Sequence, residues 1–166
     1  MKRALPYDGI MILRLLSATT LFLVLCVPSF AQERQWNLER SDNQAFLVFG
    51  VADTQDVGVS IWCEIGSGQL SAFLPEMRIA LRAGETVPMT IGVDGVQQTL
   101  KGTAAIDVTT KQMTVETKFS LKDNLTARLK GGQTLSISVK GHVNTFPFAD
   151  ADFAGLLSRC KGETEN

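Results

Sequence analysis

The stretch Val57-Gly58-Val59-Ser60-Ile61-Trp62-Cys63-Glu64-Ile65 decides the fold that we expect for this chain. Its apolar side chains recur at every second position, which is the period of a half-buried β-strand. One face of that strand carries Val57, Val59, Ile61, Cys63 and Ile65, and the other carries Ser60, Trp62 and Glu64. The stretch therefore predicts a strand that points Cys63 into a core and Trp62 away from it.

Short alternating runs separated by turn residues continue on both sides of this strand, a spacing that is typical of antiparallel β-structure. Asp94-Gly95 predicts a type I′ hairpin turn, Gly66-Ser67-Gly68 a second hairpin, and Thr110-Lys111 a third. The predicted strands cover Gln35 to Glu39, Ala45 to Phe49, Val57 to Ile65, Gln69 to Leu74, Arg78 to Leu81, Thr86 to Val93, Val96 to Lys101, Ala105 to Thr109, Met113 to Phe119, Leu135 to Lys140 and Val143 to Phe146.

Two helices complete the predicted elements. The first covers Asp123 to Leu129, is capped by Asp123 or Asn124 and stops at Gly131-Gly132. The second opens near Asp150, whose carboxylate caps it, and runs to about Lys161. The fold class that these elements predict is mainly β: an antiparallel β-sandwich or partly open barrel with a C-terminal α-helix packed on it.

The first 31 residues have the pattern of a secretory signal peptide. Basic residues precede an apolar run from Leu15 to Val27, and Ser29-Phe30-Ala31 places small residues where a signal peptidase reads. An uncleaved anchor is the alternative, but the run is shorter than the roughly 20 residues of a spanning helix. Translation from Met11 instead of Met1 gives a more compact leader. We expect a cleaved leader (1–31), a single β-rich domain (32–162), a frayed acidic tail (163–166) and a periplasmic, secreted or envelope-associated location.

Loss of the leader changes the charge and the expected partners. It removes three of 16 basic and one of 17 acidic residues, which leaves a net charge of −3. We find no cluster of Lys or Arg with interleaved aromatic residues to follow a phosphate backbone, so nucleic acid is not an expected partner. No stable membrane span is expected after cleavage. The partner that we expect is an envelope or host protein.

Two cysteines remain after the leader and its Cys26 are removed. Cys63 lies on the core face of its strand, and helical spacing places Cys160 on one stripe with Phe153, Leu156 and Leu157. An oxidising compartment favours a disulfide between them. Free thiols are one alternative, and a metal or redox site is another, although the chain contains a single histidine.

The sequence predicts no catalytic residue, no metal site and no cofactor, and hence a protein that is not an enzyme. His142 lies between two strands without a recognisable nucleophile motif, which is typical of a surface or turn histidine. Asp53, Asp56 and Glu76 lack the spacing of a calcium loop, so a solvated connection is the preferred interpretation.

The candidate binding surface consists of Trp36, Trp62 and Phe49. Trp62 either packs in a second layer or presents an aromatic platform to a ligand. Trp36 either closes the first strand onto the domain or lies exposed as a partner contact. The run from Ala45 to Phe49 is apolar on both faces, so its strand is central or one of its faces binds something.

The early Trp36, the pair Trp62-Cys63, the hairpin from Gly66 to Pro75 and the pattern from Phe146 to Cys160 resemble a known group of proteins. They are similar to the invasion-associated locus B family and to related small exported proteins of Gram-negative bacteria, including accessory proteins of type VI secretion. Members often carry a cysteine shortly after the early tryptophan, and Asn37-Leu38-Glu39-Arg40 supplies none. The resemblance implies a role in host interaction or secretion.

Three functions follow as hypotheses. The first is a non-enzymatic, disulfide-stapled β domain that acts through protein or envelope contacts. The second is a carrier of a small ligand or glycan, and the third is an envelope hydrolase or hydrolase inhibitor. An open apolar cavity distinguishes the carrier, whereas a core filled by Phe46, Ile61, Phe73, Leu135 and Leu157 argues against it.

Overall fold

Nine β-strands and two short α-helices make up the part of the chain that the structure describes, a computed structural model covering residues 33–75, 77 and 79–162. The predicted leader and the predicted tail lie outside those residues. In chain order the elements are β1 (Gln35–Arg40), β2 (Gln44–Gly50), β3 (Val57–Glu64), β4 (Gln69–Leu74), β5 (Thr86–Val93), β6 (Val96–Ile106), β7 (Met113–Ser120), α1 (Asn124–Leu129), β8 (Thr134–Val139), β9 (His142–Pro147) and α2 (Phe153–Cys160).

All nine strands belong to one antiparallel sheet in the order β1-β2-β3-β4-β7-β6-β5-β8-β9. The sheet curls into a half-barrel, and the short helix α2 follows at the C-terminal end of the described chain. This arrangement confirms the predicted mainly β class. Of the two predicted architectures, it favours the partly open barrel over the sandwich. Because neighbouring strands alternate in direction and their number is odd, the edge strands β1 and β9 run the same way.

Tight turns with positive φ angles connect the hairpins. Asp94 (φ 49°) and Gly95 (φ 83°) join β5 to β6, as a type I′ turn requires. Lys140 (φ 48°) and Gly141 (φ 80°) make the same kind of turn between β8 and β9. Lysine is a much weaker signal for this position than aspartate or asparagine, so the second turn was not evident from the sequence.

The predicted strand from Arg78 to Leu81 is wrong. Ile79, Ala80 and Leu81 belong to no strand, and the chain turns immediately afterwards, where the Glu85 amide donates to the Arg82 carbonyl over 2.9 Å. Apolar alternation over only four residues was too short a signal to outweigh this turn.

The region from Val96 to Gln112 also differs from the prediction. The two strands predicted at Val96 to Lys101 and Ala105 to Thr109 are one continuous strand, β6, in which Gly102 pairs with Val87 and Thr117. The turn that follows spans residues 107–112 instead of Thr110-Lys111 alone. The Asp107 carboxylate closes it by accepting the backbone N–H groups of Thr109 and Thr110 at 2.8 and 2.7 Å.

The inner face of the half-barrel carries the hydrophobic core. Ile61, Leu135 and Leu157 are buried there as expected, but Phe46 and Phe73 are only half-buried. Phe46 pairs with Trp62, and Phe73 pairs with Ser60, so both lie on the outer face of the sheet. Largest among the fully buried side chains are Phe148, Phe153, Leu47, Ile61, Leu70, Leu74, Met89, Ile91, Leu125, Leu129, Leu135 and Ile137.

Helix α2 packs on β2 and β3 and is covalently fixed there. Cys63 of β3 and Cys160 of α2 form a disulfide, as the sequence predicted, with their Cα atoms 5.8 Å apart. The Gly66 amide also donates to the Cys160 carbonyl over 2.8 Å. The predicted cap lies two residues too early: Asp152, not Asp150, accepts the backbone N–H of Gly155.

Candidate functional site

The three residues of the predicted binding surface do not lie together. Trp36 and Phe49 are paired across β1 and β2, and Phe49 in turn pairs with the fully buried Val59, which places both on the inner face. Trp62 lies on the outer face. The structure therefore divides the predicted surface in two. One part is an aromatic cluster at the seam, the line along which the edge strands β1 and β9 meet, and the other is a separate surface on the outer face of the sheet.

The seam cluster brings together rings from both edges of the sheet. The Trp36 ring lies 5.3 Å from that of Phe49 and 5.0 Å from that of Phe148, and Phe49 also contacts Phe146 of β9 at 5.6 Å. The Trp36 indole nitrogen donates to the carbonyl oxygen of Pro147. Trp36 is thus the residue that closes the first strand onto the domain, which is one of its two predicted roles.

The outer face of β2 and β3 carries a stacked aromatic pair. The rings of Phe46 and Trp62 lie 5.9 Å apart and 24° from parallel, and both side chains are half-buried. Trp62 pairs on its other side with Ser71 of β4, whose side chain is buried. Phe46 pairs on its other side with Glu39 of β1, so the stacked pair lies between a glutamate and a serine.

This apolar surface extends along the sheet by one further row. Val48 of β2 and Phe73 of β4 flank Ser60 of β3, and both are half-buried on the outer face. We call Phe46, Val48, Trp62 and Phe73 the outer aromatic surface. A solvated antiparallel sheet normally presents polar residues at such positions, so four large apolar side chains in two adjacent rows are a departure that needs a reason.

Charged residues border the outer aromatic surface. Glu39 pairs with Phe46 on one side, and Glu64 and Lys118 line a small cleft of about 40 Å³ beside Trp62. Beyond β4, Lys101, Lys118 and Glu116 line an open groove of about 360 Å³. An apolar centre with a charged rim is the arrangement found at protein–protein interfaces.

Sequence reasoning missed Phe46 and Phe73 as surface residues. The alternation of Ser60, Trp62 and Glu64 was enough to assign Trp62 to the outer face, but it says nothing of which strands lie beside β3. The pairing of β3 with β2 and β4 places Phe46 and Phe73 next to Trp62 and Ser60. Only this pairing, which depends on hairpin register, could have identified them.

Of the residues weighed for catalysis, Asp53 lies in the turn before β3, and His142 lines a pocket together with Arg34. His142 is the exposed first residue of β9, and Asp56 forms an ion pair with Arg34. Glu76 lies outside the described residues. Within residues 33–75, 77 and 79–162, no group of three or more His, Cys, Asp or Glu side chains is placed to hold a metal ion.

Two half-buried carboxyl groups have pKa values below the ordinary range, and both serve local structure. Hydrogen bonding from the Lys140 ammonium lowers the pKa of Glu85, with a further contribution from the Arg82 amide. Backbone N–H groups of Thr110 and Thr109 lower the pKa of Asp107 in the loop after β6. Each carboxylate stabilises a turn.

No α-helix in the described part of the chain is long and apolar enough to cross a membrane.

Comparison with known proteins gives a weak structural match. The crystal structure of invasion associated protein B from Bartonella henselae superposes with a TM-score of 0.47 at 16% sequence identity, covering 77% of this chain and 92% of that one. No protein-family model matches the sequence, and no curated protein matches it.

Proposed function

We propose that this protein is an exported, non-enzymatic, disulfide-stapled interaction domain that binds an envelope or host protein through the outer aromatic surface. The observation that carries the proposal is the Phe46–Trp62 stack on the solvent face of the sheet. Tryptophan and other large aromatic residues contribute a disproportionate share of the energy of protein–protein binding, and they do so at centres of patches with polar rims.

A position inside the half-barrel is less suited to a ligand than the outer surface. The inner face is occupied by packed side chains from the strands and from α2, including Leu47, Ile61, Leu135 and Phe153, each at most 2% exposed. This packing supports a surface interaction over the alternative of a carrier that encloses a small molecule or glycan.

Export and a role in invasion or secretion belong to the same proposal. The leader-like first 31 residues and the matched pair Cys63 and Cys160 support a periplasmic or extracellular site of action. The sequence resemblance to invasion-associated locus B proteins supports the finer role. In this account the disulfide keeps α2 on the sheet outside the reducing cytosol, and the outer aromatic surface faces the partner.

Photocrosslinking in the native envelope tests the proposal. A photoreactive residue at the exposed position Glu64 lies on the rim beside Trp62, and one at the exposed position Lys130, next to α1, is the control. We expect a discrete protein adduct from position 64 that Phe46→Ser combined with Trp62→Ser removes, and no such adduct from position 130.

Serine is the matched replacement because Ser60 and Ser71 already occupy the outer face. A circular dichroism spectrum like that of the native protein shows that the double variant folds. An adduct at position 64 that survives the double substitution would contradict binding through the outer aromatic surface.

A further inference from the structure

One row of side chains on the outer face of the sheet changes from apolar to basic as it crosses the strands. In sheet order from β2 to β6 the row consists of Phe46, Trp62, Ser71, Lys118 and Lys101. Its last member follows from the pairing of Gly102 with Thr117, because one residue further along the two strands Lys101 lies opposite Lys118. Every residue of these five strands is described. The outer aromatic surface therefore continues directly into two lysines, which we call the lysine pair.

The lysine pair places two like charges opposite each other on β7 and β6. Both side chains are exposed, and both line the open groove of about 360 Å³ together with Thr103, Glu116 and Thr117. Like charges that face each other across an antiparallel pair of strands destabilise the sheet. A bound anion that contacts both ammonium groups would remove this repulsion.

Nearby carboxylates do not neutralise the lysine pair. Glu116 lines the same groove, and Glu64 shares the small cleft beside Trp62 with Lys118. Within the described part of the chain, however, neither lysine forms an ion pair or a side-chain hydrogen bond. The Oε1 oxygen of Glu116 is buried and likewise has no hydrogen-bond partner among the described residues. The polar groups of this groove are thus available to a ligand.

The surroundings of the lysine pair favour a protein segment over a uniform polyanion. Three carboxylates border the same face of the sheet and would repel a polymer that carries only negative charges. They are Glu39, Glu64 and Glu116. The stacked rings of Phe46 and Trp62 are instead suited to an apolar group. An acidic protein segment offers an apolar side chain and a carboxylate within a short distance of each other.

The spacing of the strands gives the distance between the aromatic and the basic part of the row. Neighbouring strands lie about 4.8 Å apart, so Lys118 lies about 10 Å and Lys101 about 14 Å from Trp62 along the row. An extended peptide advances about 3.3 Å per residue. A carboxylate roughly three or four residues from an apolar anchor on Trp62 therefore reaches the lysine pair.

We propose that the lysine pair selects an acidic protein segment as the ligand of the outer aromatic surface. An apolar side chain of the segment lies on Phe46 and Trp62, and a carboxylate further along it accepts hydrogen bonds from the ammonium groups of Lys118 and Lys101. This inference rests on the proposed function, because it takes the outer aromatic surface as the anchor. Bonds between ammonium and carboxylate groups are stronger than neutral ones, and complementary charges fix the orientation of the bound segment.

The probes for the test come from a phage library of short random peptides selected on the intact protein. We expect enriched peptides to carry an aromatic or aliphatic residue with an acidic residue roughly three to five positions away. For one synthetic enriched peptide, Lys101→Glu with Lys118→Glu should raise the dissociation constant at least about tenfold, because like charges then face each other. Arg128→Glu with Lys130→Glu is the control. It changes the net charge equally on exposed side chains at α1 and should stay within about threefold of wild type.

A charge swap separates direct contact from damage to the fold. A second synthetic peptide has its acidic residues replaced by lysine. It should bind the variant Lys101→Glu with Lys118→Glu at least about fivefold more tightly than it binds wild type. A misfolded variant cannot gain affinity in this way, so the swap gives an answer even if the variant is less stable than wild type.

Failure of this inference and failure of the proposed function are distinguishable. Phe46→Ser with Trp62→Ser should abolish binding of the enriched peptides, because it removes the anchor. Peptides that lose binding in that variant but bind Lys101→Glu with Lys118→Glu as well as wild type would overturn the role of the lysine pair and leave the proposed function standing. Peptides that bind the folded Phe46→Ser and Trp62→Ser variant normally would overturn both.

Other occupants of the lysine pair would also overturn the proposal. Tight binding of heparin without enrichment of any peptide would identify a polyanion. A concentration-dependent dimer of the free protein that Lys101→Glu with Lys118→Glu dissolves would identify a second copy of the chain. Tighter peptide binding after Glu163→Gln with Glu165→Gln would show that carboxylates of this chain's own C-terminal segment compete for the lysines.

Discussion

The indole nitrogen of Trp36 donates a hydrogen bond to the carbonyl oxygen of Pro147 and so joins the two edge strands of the half-barrel. The bond lies where the chain has no backbone donor, because proline lacks an N–H. The two edges run in the same direction and meet through this bond, through the contact of Trp36 with Phe148 and through the contact of Phe49 with Phe146 of β9.

Trp36→Phe should separate the contribution of the hydrogen bond to stability from the contribution of ring packing. Phenylalanine keeps an aromatic ring against Phe49 but has no N–H, so we expect a loss of about 1 kcal/mol in the free energy of unfolding. Trp36→Ala, which removes the ring as well, should cost about 3 kcal/mol. Urea denaturation measures both values.

Trp62→Phe is the matched control, since Trp62 stacks on Phe46 on the outer face. We expect this change to alter the free energy of unfolding by less than about 0.5 kcal/mol. Equal effects of Trp36→Phe and Trp62→Phe would contradict a specific role for the bond to Pro147.

Loss of the disulfide should destabilise the domain strongly. Cys63 and Cys160 are 97 residues apart in sequence, and the chain-entropy model gives about 4 to 5 kcal/mol for closing a loop of that size. Cys160→Ser and the double variant Cys63→Ser with Cys160→Ser should lose similar amounts, seen as a lower melting temperature. Reductant should lower the melting temperature of wild type but not of the double variant. Free thiols in the oxidised wild-type protein, detected by mass spectrometry, would show that the bond is absent.

The cap of α2 can be tested with two neighbouring aspartates. Asp152 accepts the Gly155 amide at 2.8 Å, whereas Asp150 is exposed and lies before the helix. Asp152→Ala should lower the free energy of unfolding by about 1 kcal/mol. Asp150→Ala should leave it within about 0.5 kcal/mol of wild type. A larger loss of stability in Asp150→Ala than in Asp152→Ala would contradict the cap at Asp152 and support the cap at Asp150 that the sequence predicted.

The ion pair between Glu85 and Lys140 should make stability depend on pH. The pKa of Glu85 is lowered from its ordinary 4.5 in the folded state, so its contribution is complete above that pH and is lost as pH falls through the lower folded value. Lys140→Met should raise the pKa of Glu85 towards 4.5, as measured by NMR titration. It should not reach 4.5, because the Arg82 amide still donates to the carboxylate. Lys122→Met is the control, and an equal shift in that variant would contradict the pairing.

Local signals predicted those parts of the fold that local chemistry determines. Asp94-Gly95 specifies its turn through backbone angles alone, and the alternation around Cys63 specifies which face of β3 is buried. The strand predicted from Arg78 to Leu81 was wrong because its signal was an alternation of only four residues. That alternation does not reveal the turn from Arg82 to Glu85 or the ion pair of Glu85 with Lys140 that stabilises the turn.

The candidate sites depended on contacts that the sequence does not display. Trp62 was assigned to the correct face, but its neighbour Phe46 follows from the register of β2 on β3. Phe49 was placed with Trp62, although it lies on the opposite face with Trp36. A pocket of about 330 Å³ brings Arg34, from the segment before β1, together with His142 and Asn144 of β9, at opposite ends of the sheet order, so no motif in the sequence could indicate it.

Binding of the purified crosslinked partner to surface variants tests the central claim most directly. Phe46→Ser with Trp62→Ser should raise the dissociation constant at least about tenfold in a calorimetric titration, because aromatic residues at the centre of a patch dominate binding energy. Val96→Ser, which removes another exposed apolar side chain at the β5–β6 hairpin, should bind within about twofold of wild type. Equal affinity of the folded double variant and the wild type would contradict the claim that the outer aromatic surface contacts the partner.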